Sequence, residues 1–358
     1  MKQQIIDEIT RHGPIPFERF MELSLYGSAG GFFATGPLRS QKAGDFLTSP
    51  EISTAFGAAL GRYVESEYHR IARPADFTVV EVGAGSGSLL RPLLDSLSFK
   101  PRVILAEASP AARTVLRDRF SDAEVVNDVF DHLQINDPHS DRIRGVFVAN
   151  ELLDNLPMAI VVRDHGGWSE RWVGVEGDSL VLVPAVARSA VDQWAQEHGG
   201  PVPEDGIVEV QLAASRWLRD CRAALSVGSV VAVDYGDTAE LLESRRATGT
   251  LRTYRAHHLG PHPLDEPGDT DITADVNFSA LLATGKAAGF ACRLERQDDF
   301  LASLGVRDHL GELRREELDL ARGEDSMARM KVRNEVSEIE TILHPRGLGD
   351  FRVLVCTL

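Results

Sequence analysis

The sequence predicts an α/β fold built on a parallel sheet that is buried on both faces. Five short apolar runs carry that prediction: FTVVEVG from Phe77, RVILAEA from Arg102, EVVNDV from Glu124, GVFVANE from Gly145 and SVVAVDYG from Ser229. Each is a short, mainly apolar run, as strands shielded on both sides are, and each ends in polar residues. The segments Leu89 to Leu97 and Ala111 to Phe120 fit crossover helices between them. Ligands of such sheets bind beyond the carboxyl ends of the strands, so the polar run ends are where a site is expected.

The remaining elements follow in order. Residues 1–26 read as two short helices, the second through Phe17, Phe20, Met21, Leu23 and Leu25, with a break at Gly13 to Pro16. Residues 27–47 read as loop. Ser49 then suits an N-cap with Pro50 at the first helical position, and Ile52, Phe56, Leu60, Val64 and Ile71 continue at helical spacing. Residues 158–187 alternate and turn like antiparallel hairpins, predicting an insertion over the ligand edge of the sheet. A helix is expected from about Gln211 to Ala224, loop over 250–275, solvated helices over 307–343 and a closing strand in FRVLVCTL.

With 358 residues, 43% hydrophobic and 26% charged, the chain can bury one large core with appended segments. Its 38 Lys and Arg against 54 Asp and Glu leave a formal charge of -16. That sign repels polyphosphate, and no basic stripe offsets it, so nucleic acid is not expected as a partner, whereas a basic peptide is attracted. Cys221, Cys292 and Cys356 lie far apart without a CxxC pair, suggesting neither a disulfide framework nor a zinc site. The start resembles neither a secretory nor an organellar leader, and no apolar run approaches a membrane span, so a cytoplasmic protein without a membrane span is the expectation.

Gly83, Gly85 and Gly87, with Ala84 between the first two, follow a strand and precede a helix, where glycines let backbone approach a ligand closely. The spacing is GxGxG followed by Ser88, not the GxGxxG of dinucleotide folds, and a sulfonium cofactor without pyrophosphate needs less anion capture there. Glu107 ends the second run and could accept both ribose hydroxyls, a role that nicotinamide and adenosylmethionine enzymes share. Asp128 and the Val129 amide could meet an adenine, although Asn127 and Asp128 are also turn formers. Asn150 and Glu151 end the fourth run, with Asp154 three residues on. Two carboxylates at a ligand edge need a cation or donors, and a guanidinium presents five donors. Asp154 can equally complement a helix N-terminus. The histidines show no metal-ligand spacing such as HExxH, and none of the chemistry needs a metal; His257 and His258 fall in the expected loop.

Eight segments in order, GPIPFERFM, GDFLTSPEIS, VVEVGAGSG, NELLDNLP, VDYG, GTLRTYRAHH, GDTDITADVNF and GLGDFRVLV, resemble the MidA-like family over nearly the whole chain. The resemblance implies a class I methyltransferase core of seven strands, S-adenosylmethionine as cofactor, and symmetric dimethylation of a protein arginine in a respiratory-complex subunit, in the service of complex I assembly. By position it implies a lid of Gly44, Asp45, Phe46, Ser49, Pro50 and Glu51, a cradle from Gly83 to Gly87, and an acceptor side from Asn150 to Asp154, with Asn150 also beside the cofactor. The lid segment can also be read as an ordinary capped helix. Residues 1–75 then read as a helical cap with the lid, and 76–358 as the core with insertions at about 158–205 and 305–345. A homodimer is compatible with this reading. Asn277, Leu348 and Arg352 depart from the family pattern of Asp, Met and Lys, which bears on substrate identity and not on the cofactor site. The alternatives are a noncatalytic assembly factor that binds the same cofactor, and a nicotinamide oxidoreductase.

Overall fold

The apolar runs meet in one seven-stranded sheet, in the order Ala291–Arg296, Arg352–Thr357, Leu225–Asp234, Ile143–Asn150, Phe77–Val82, Arg102–Ala106 and Glu124–Val126. A computed structural model describes residues 1–35, 48–137, 139–255, 258–323 and 325–358. The five expected runs pair in parallel. The closing strand Arg352–Thr357 lies inside the sheet, antiparallel to both neighbours. Successive residues take opposite faces: Val79 and Val231 join one core, with Phe56, Leu60, Val64 and Ile339, while Val80 and Val230 join the other, with Phe147, Trp217 and Leu218. Both cores are needed to shield such strands, which is why the runs carry no polar alternation.

Helices cover the first face from two directions. Thr54–Arg70 packs through Phe56, Leu60, Tyr63 and Val64, and the charged C-terminal region folds into Val306–Leu320 and Ser326–Ile342, which bury Leu310, Leu313, Val332, Val336 and Ile342 in the same core. Ser49 does not act as an N-cap. A short helix Ser49–Ile52 with Pro50 in its first turn starts after Thr48, and the chain breaks at Ser53, whose side chain accepts from the Ala55 amide and caps the long helix. Ser49 Oγ instead meets the Gln297 side chain across 248 residues of sequence.

The insertion is larger than hairpins. Ala159–Asp164, Gly167–Glu176 and Ser179–Val186 are joined by Ile207–Val210 and by Ile15–Pro16 from the N-terminus into a five-stranded sheet. One apolar face of that sheet is covered by the helices Lys2–His12 and Phe17–Tyr26 through Ile5, Phe17, Phe20 and Met21, which explains their amphipathic pattern. The expected loop at 250–275 is corrected as well: Arg252–Arg255, His258–Leu259 and Asp271–Thr273 form a small antiparallel sheet. Its strands are two to four residues long and separated by Pro and Gly, too short to show a period. His258 is exposed in that sheet, and His257 lies outside the described residues.

Cys292 and Cys356 form a disulfide, which corrects the expectation of unpaired cysteines. Sixty-four residues separate them, but the register of two neighbouring strands places them opposite one another. Cys221 is a buried free thiol. Closing a loop of that length stabilises a fold by about 4 kcal/mol. Reductant should therefore lower the denaturant midpoint of the wild type and leave that of Cys292→Ser unmoved; a wild-type midpoint indifferent to reductant would show that the bridge adds nothing.

Candidate active site

The strand Phe77–Val82 delivers the chain into a left-handed turn, with φ of 73° at Gly83, 50° at Gly85 and 73° at Gly87. Side chains rarely adopt that region, and glycine reaches it without strain. The Gly83 and Ala84 amides donate to the Ala106 carbonyl, at 2.9 and 3.3 Å, tying the turn to the next strand. A Cβ on Gly87 would lie 2.5 Å from Phe120 Cε2 and 2.9 Å from Leu116 Cδ2, so this glycine seats the turn on the helix Pro110–Arg119.

Glu107 sits across the mouth of the turn. Gly85 N–H donates to its Oε2 at 2.8 Å and Ser109 N–H to its Oε1 at 2.7 Å, while Arg113 donates to the carbonyls of Glu107 and Ala108 and to Asn127. Burial pushes its carboxyl up, and the amides oppose that shift. Each oxygen keeps acceptor capacity beyond one amide bond.

A cavity of about 280 Å³ opens above the strand tips. Its lining includes Ala84 and Gly85 of the turn, Glu107, Asp128, Val129, Asn150 and Glu151, bringing together most of the residues expected from the sequence. Asp128 Oδ1 accepts from the Phe130 and Asp131 amides as an N-cap, so the local turn role holds for that oxygen. Of the lid, Pro50 lines the cavity, next to Thr48, which precedes the lid's helix; Ser86 Oγ donates to Glu51 at 3.1 Å, and the Ser49 amide bonds Glu151. Gly44, Asp45 and Phe46 lie outside the described residues.

Glu151 leaves its strand with φ of 50°, its amide still donating to the Val233 carbonyl at 2.8 Å. A non-glycine residue in that conformation stores strain of about 1–3 kcal/mol, a recurring feature of functional positions. Asn150 Nδ2 donates to Glu151 Oε1 at 3.1 Å, and Asn150 Oδ1 is buried with no partner among the described residues. Burial, with the negative charge of Asp154 next, pushes the Glu151 carboxyl up to about 8.

The structure separates Asp154 from its expected neighbour role. It is 3% exposed and does not line the cavity. Its Oδ2 accepts from Tyr235 Oη at 2.5 Å and from Thr273 Oγ1 at 2.7 Å, and its Oδ1 is buried with no partner among the described residues. Asp234, fully buried, accepts from the amides of Leu152, Leu153 and Asp154, fixing the turn that carries them. Burial raises the Asp154 and Asp234 carboxyls; neighbouring carboxylates raise Asp234 further, and the two hydroxyls hold Asp154 back.

Several site residues escaped sequence reading. Glu81 lines the cavity from inside the first strand, pushed up to about 8 by burial and by Glu107, with Oε2 unpartnered among the described residues; an acid within an apolar run was the available signal. Asp234 and Tyr235 end the fifth run, where the strand-end rule points. Tyr26, Phe33 and Trp217 wall the cavity from distant segments, and no local pattern marks them.

Among the described residues, no Lys or Arg lines the cavity, whereas Glu81, Glu107, Asp128 and Glu151 do. Among the described residues Glu81 Oε2 and Asn150 Oδ1 have no partner, and beside a glycine-rich turn they suit a ligand with a nucleoside, an ammonium and a sulfonium, whose charges the acids of the lining complement. Again among the described residues, a potential metal-holding group is Asp164, His165 and Glu204, all exposed and outside the cavity lining. No described helix is long and apolar enough to cross a membrane.

A family model described as "Putative S-adenosyl-L-methionine-dependent methyltransferase" matches residues 59–295. The chain is 27% identical over 384 residues to "Protein arginine methyltransferase NDUFAF7, mitochondrial" of Rattus norvegicus, covering 98% of this chain and 82% of the relative. It is 29% identical over 336 residues to the protein of that name from Danio rerio, covering 85% and 76%. A solved structure from Burkholderia thailandensis, bound to S-adenosyl-homocysteine, matches with a TM-score of 0.84 at 26% identity, over 100% of this chain and 91% of that one. The named relatives are mitochondrial proteins, and this overturns the expectation of a cytoplasmic one, which had rested on the look of the first residues.

Proposed function

This chain belongs to the S-adenosylmethionine-dependent methyltransferase family whose model it matches, and from that premise we propose that it methylates an arginine side chain of a protein. The observation that carries the acceptor assignment is Glu151, a cavity-lining carboxylate at the end of a strand, in a cavity that no described Lys or Arg lines. Protein arginine methylation is also the activity in the names of the relatives.

The cofactor supplies an electrophilic methyl group. Gly83, Ala84, Gly85 and Gly87 shape the turn that would hold it, Glu107 would accept its ribose hydroxyls, Asp128 and Val129 would flank its base, and Asn150 would stand beside it. Ser49, Pro50 and Glu51 would stand beside it. Tyr26, Phe33 and Trp217 line the cavity and would help exclude water from it, and Glu151 would orient the guanidinium by accepting from its N–H groups. A guanidinium nitrogen must shed a proton as its bond to carbon forms, and a carboxylate whose conjugate acid sits near 8 is a stronger base than an ordinary one. Symmetric dimethylation is the product this reading carries, and a respiratory-complex subunit its acceptor.

The test is transfer of radiolabelled methyl from the cofactor into a lysate of cells lacking the protein, with amino-acid analysis of the labelled band. Labelled arginine is expected. Label in nucleic acid, in a small molecule or on another side chain would overturn the acceptor assignment, and cofactor binding without any transfer would leave a noncatalytic assembly factor.

A further inference from the structure

Asp154 is a buried carboxylate served by two hydroxyls on one oxygen and, among the described residues, by nothing on the other. Its backbone is clamped too, the amide donating to Asp234 at 3.3 Å and the carbonyl accepting from Ala274 at 3.2 Å. The hydroxyls come from remote segments: Tyr235 follows a core strand, and Thr273 ends a strand of the small sheet. They also touch each other, Tyr235 Oη meeting Thr273 Oγ1. Behind them, Arg252 lies over the Tyr235 ring at 5.4 Å and is bound to Asp275 at 2.5 Å. A cation over the ring makes the phenol a stronger donor.

We propose that Tyr235 and Thr273 are positioning residues for the acceptor half of the site, holding Asp154 as a fixed anion behind Glu151. The proposal rests on the methyltransferase reading and adds the source of the charge that draws a cationic acceptor inward. Asp154 outside the cavity lining and Glu151 on it form two layers: the outer carboxylate meets the acceptor, and the inner one supplies field without being solvated. Among the described residues, the other groups facing the pair and its hydroxyls are acidic or neutral: Asp234 on the core strand, Glu51 on the short helix, Asp271 toward Tyr235, and Tyr26 at the end of the helix Phe17–Tyr26, whose hydroxyl donates to the Asn155 carbonyl. Removing a hydroxyl from Asp154 favours its protonated form, and a neutral Asp154 no longer raises Glu151.

The experiment compares wild type, Tyr235→Phe, Asp154→Asn and the double variant by kcat/KM for the acceptor between pH 6.5 and 9, with cofactor affinity by calorimetry. Tyr235→Phe should lower kcat/KM by about 10- to 100-fold, the loss of one hydrogen bond to a charged group. Cofactor affinity should stay within about twofold, and the acidic limb of the profile should move to lower pH. Within the Asp154→Asn background the same change should cost almost nothing. Thr273→Val should act like Tyr235→Phe, and Thr273→Ser should restore activity, which decides the matter even where Tyr235→Phe folds poorly. An unmoved acidic limb, or an equal cost in both backgrounds, would overturn the proposal. Should the label fall on something other than arginine, the acceptor assignment fails by itself, and the same cycle run with the true acceptor still judges Tyr235.

Discussion

Glu151→Gln is expected to lower methyl transfer by about 10²- to 10⁴-fold, the usual contribution of a positioned general base, with cofactor affinity changed little. Gln keeps the shape and accepts one hydrogen bond from a guanidinium, but it can neither carry charge nor take the proton. The same substitution has an opposite effect on the protein without ligands. The folded carboxyl, raised to about 8 from 4.5, binds its proton more tightly than the unfolded one. The stability it contributes is therefore complete below the ordinary carboxyl range and lost as pH rises through about 8, by about 1.4 kcal/mol for each pH unit crossed between the unfolded and folded values. Without cofactor, Glu151→Gln should show the flatter stability profile between pH 5 and 9 and exceed the wild type at the alkaline end. Chemical denaturation at several pH values reads the stability, and single-turnover transfer reads the chemistry. A Gln variant with wild-type turnover would remove Glu151 from the acceptor site.

Gly87→Ala is expected to cost about 2–5 kcal/mol and most of the cofactor affinity. About 1–2 kcal/mol comes from forcing a side chain into the left-handed region, and about 1–3 kcal/mol from overpacking. The added methyl would meet Phe120 and Leu116, and the Phe120 ring cannot retreat freely because it is buried with Leu90 and Leu105 and covered by Arg91 at 4.9 Å. Gly289→Ala is the control, with φ of 88° and nothing within 4 Å of its Cβ, so it carries the conformational cost alone. Denaturant midpoints and cofactor titrations separate the contributions. Equal losses at the two positions would mean that the contact with Phe120 and Leu116 is not what requires glycine at 87.

The readable parts of this molecule are those whose cause is local. Val79, Val80 and the run Val230 to Val233 are apolar because both faces of their sheet are covered, and that shows in a window of a few residues. The glycine turn is legible because left-handed backbone needs glycine where it occurs, and Glu151 because parallel strands end at the ligand edge. Ser49 misled because Ser followed by Pro has the same local signature whether it caps a helix or enters one, and its actual partner, Gln297, is brought near by folding alone. The 250–275 segment misled for a related reason: strands of two to four residues have no period to read, and their pairing depends on partners elsewhere in the chain.

The sequence by itself determined the parallel sheet, the turn at Gly83 to Gly87, the acids at its edge and, through eight ordered motifs, the family. Tertiary structure alone decided that Glu151 faces the cavity while Asp154 stands behind it, that Tyr235 and Thr273 share one carboxylate oxygen, that Cys292 meets Cys356, and that the N-terminal helices cover the inserted sheet. The physical reason is the range of the interactions. Backbone conformation and strand burial act over a few residues and leave a pattern there, whereas hydrogen bonds between buried side chains and strand register join residues tens to hundreds of positions apart and exist only after the chain has closed around them.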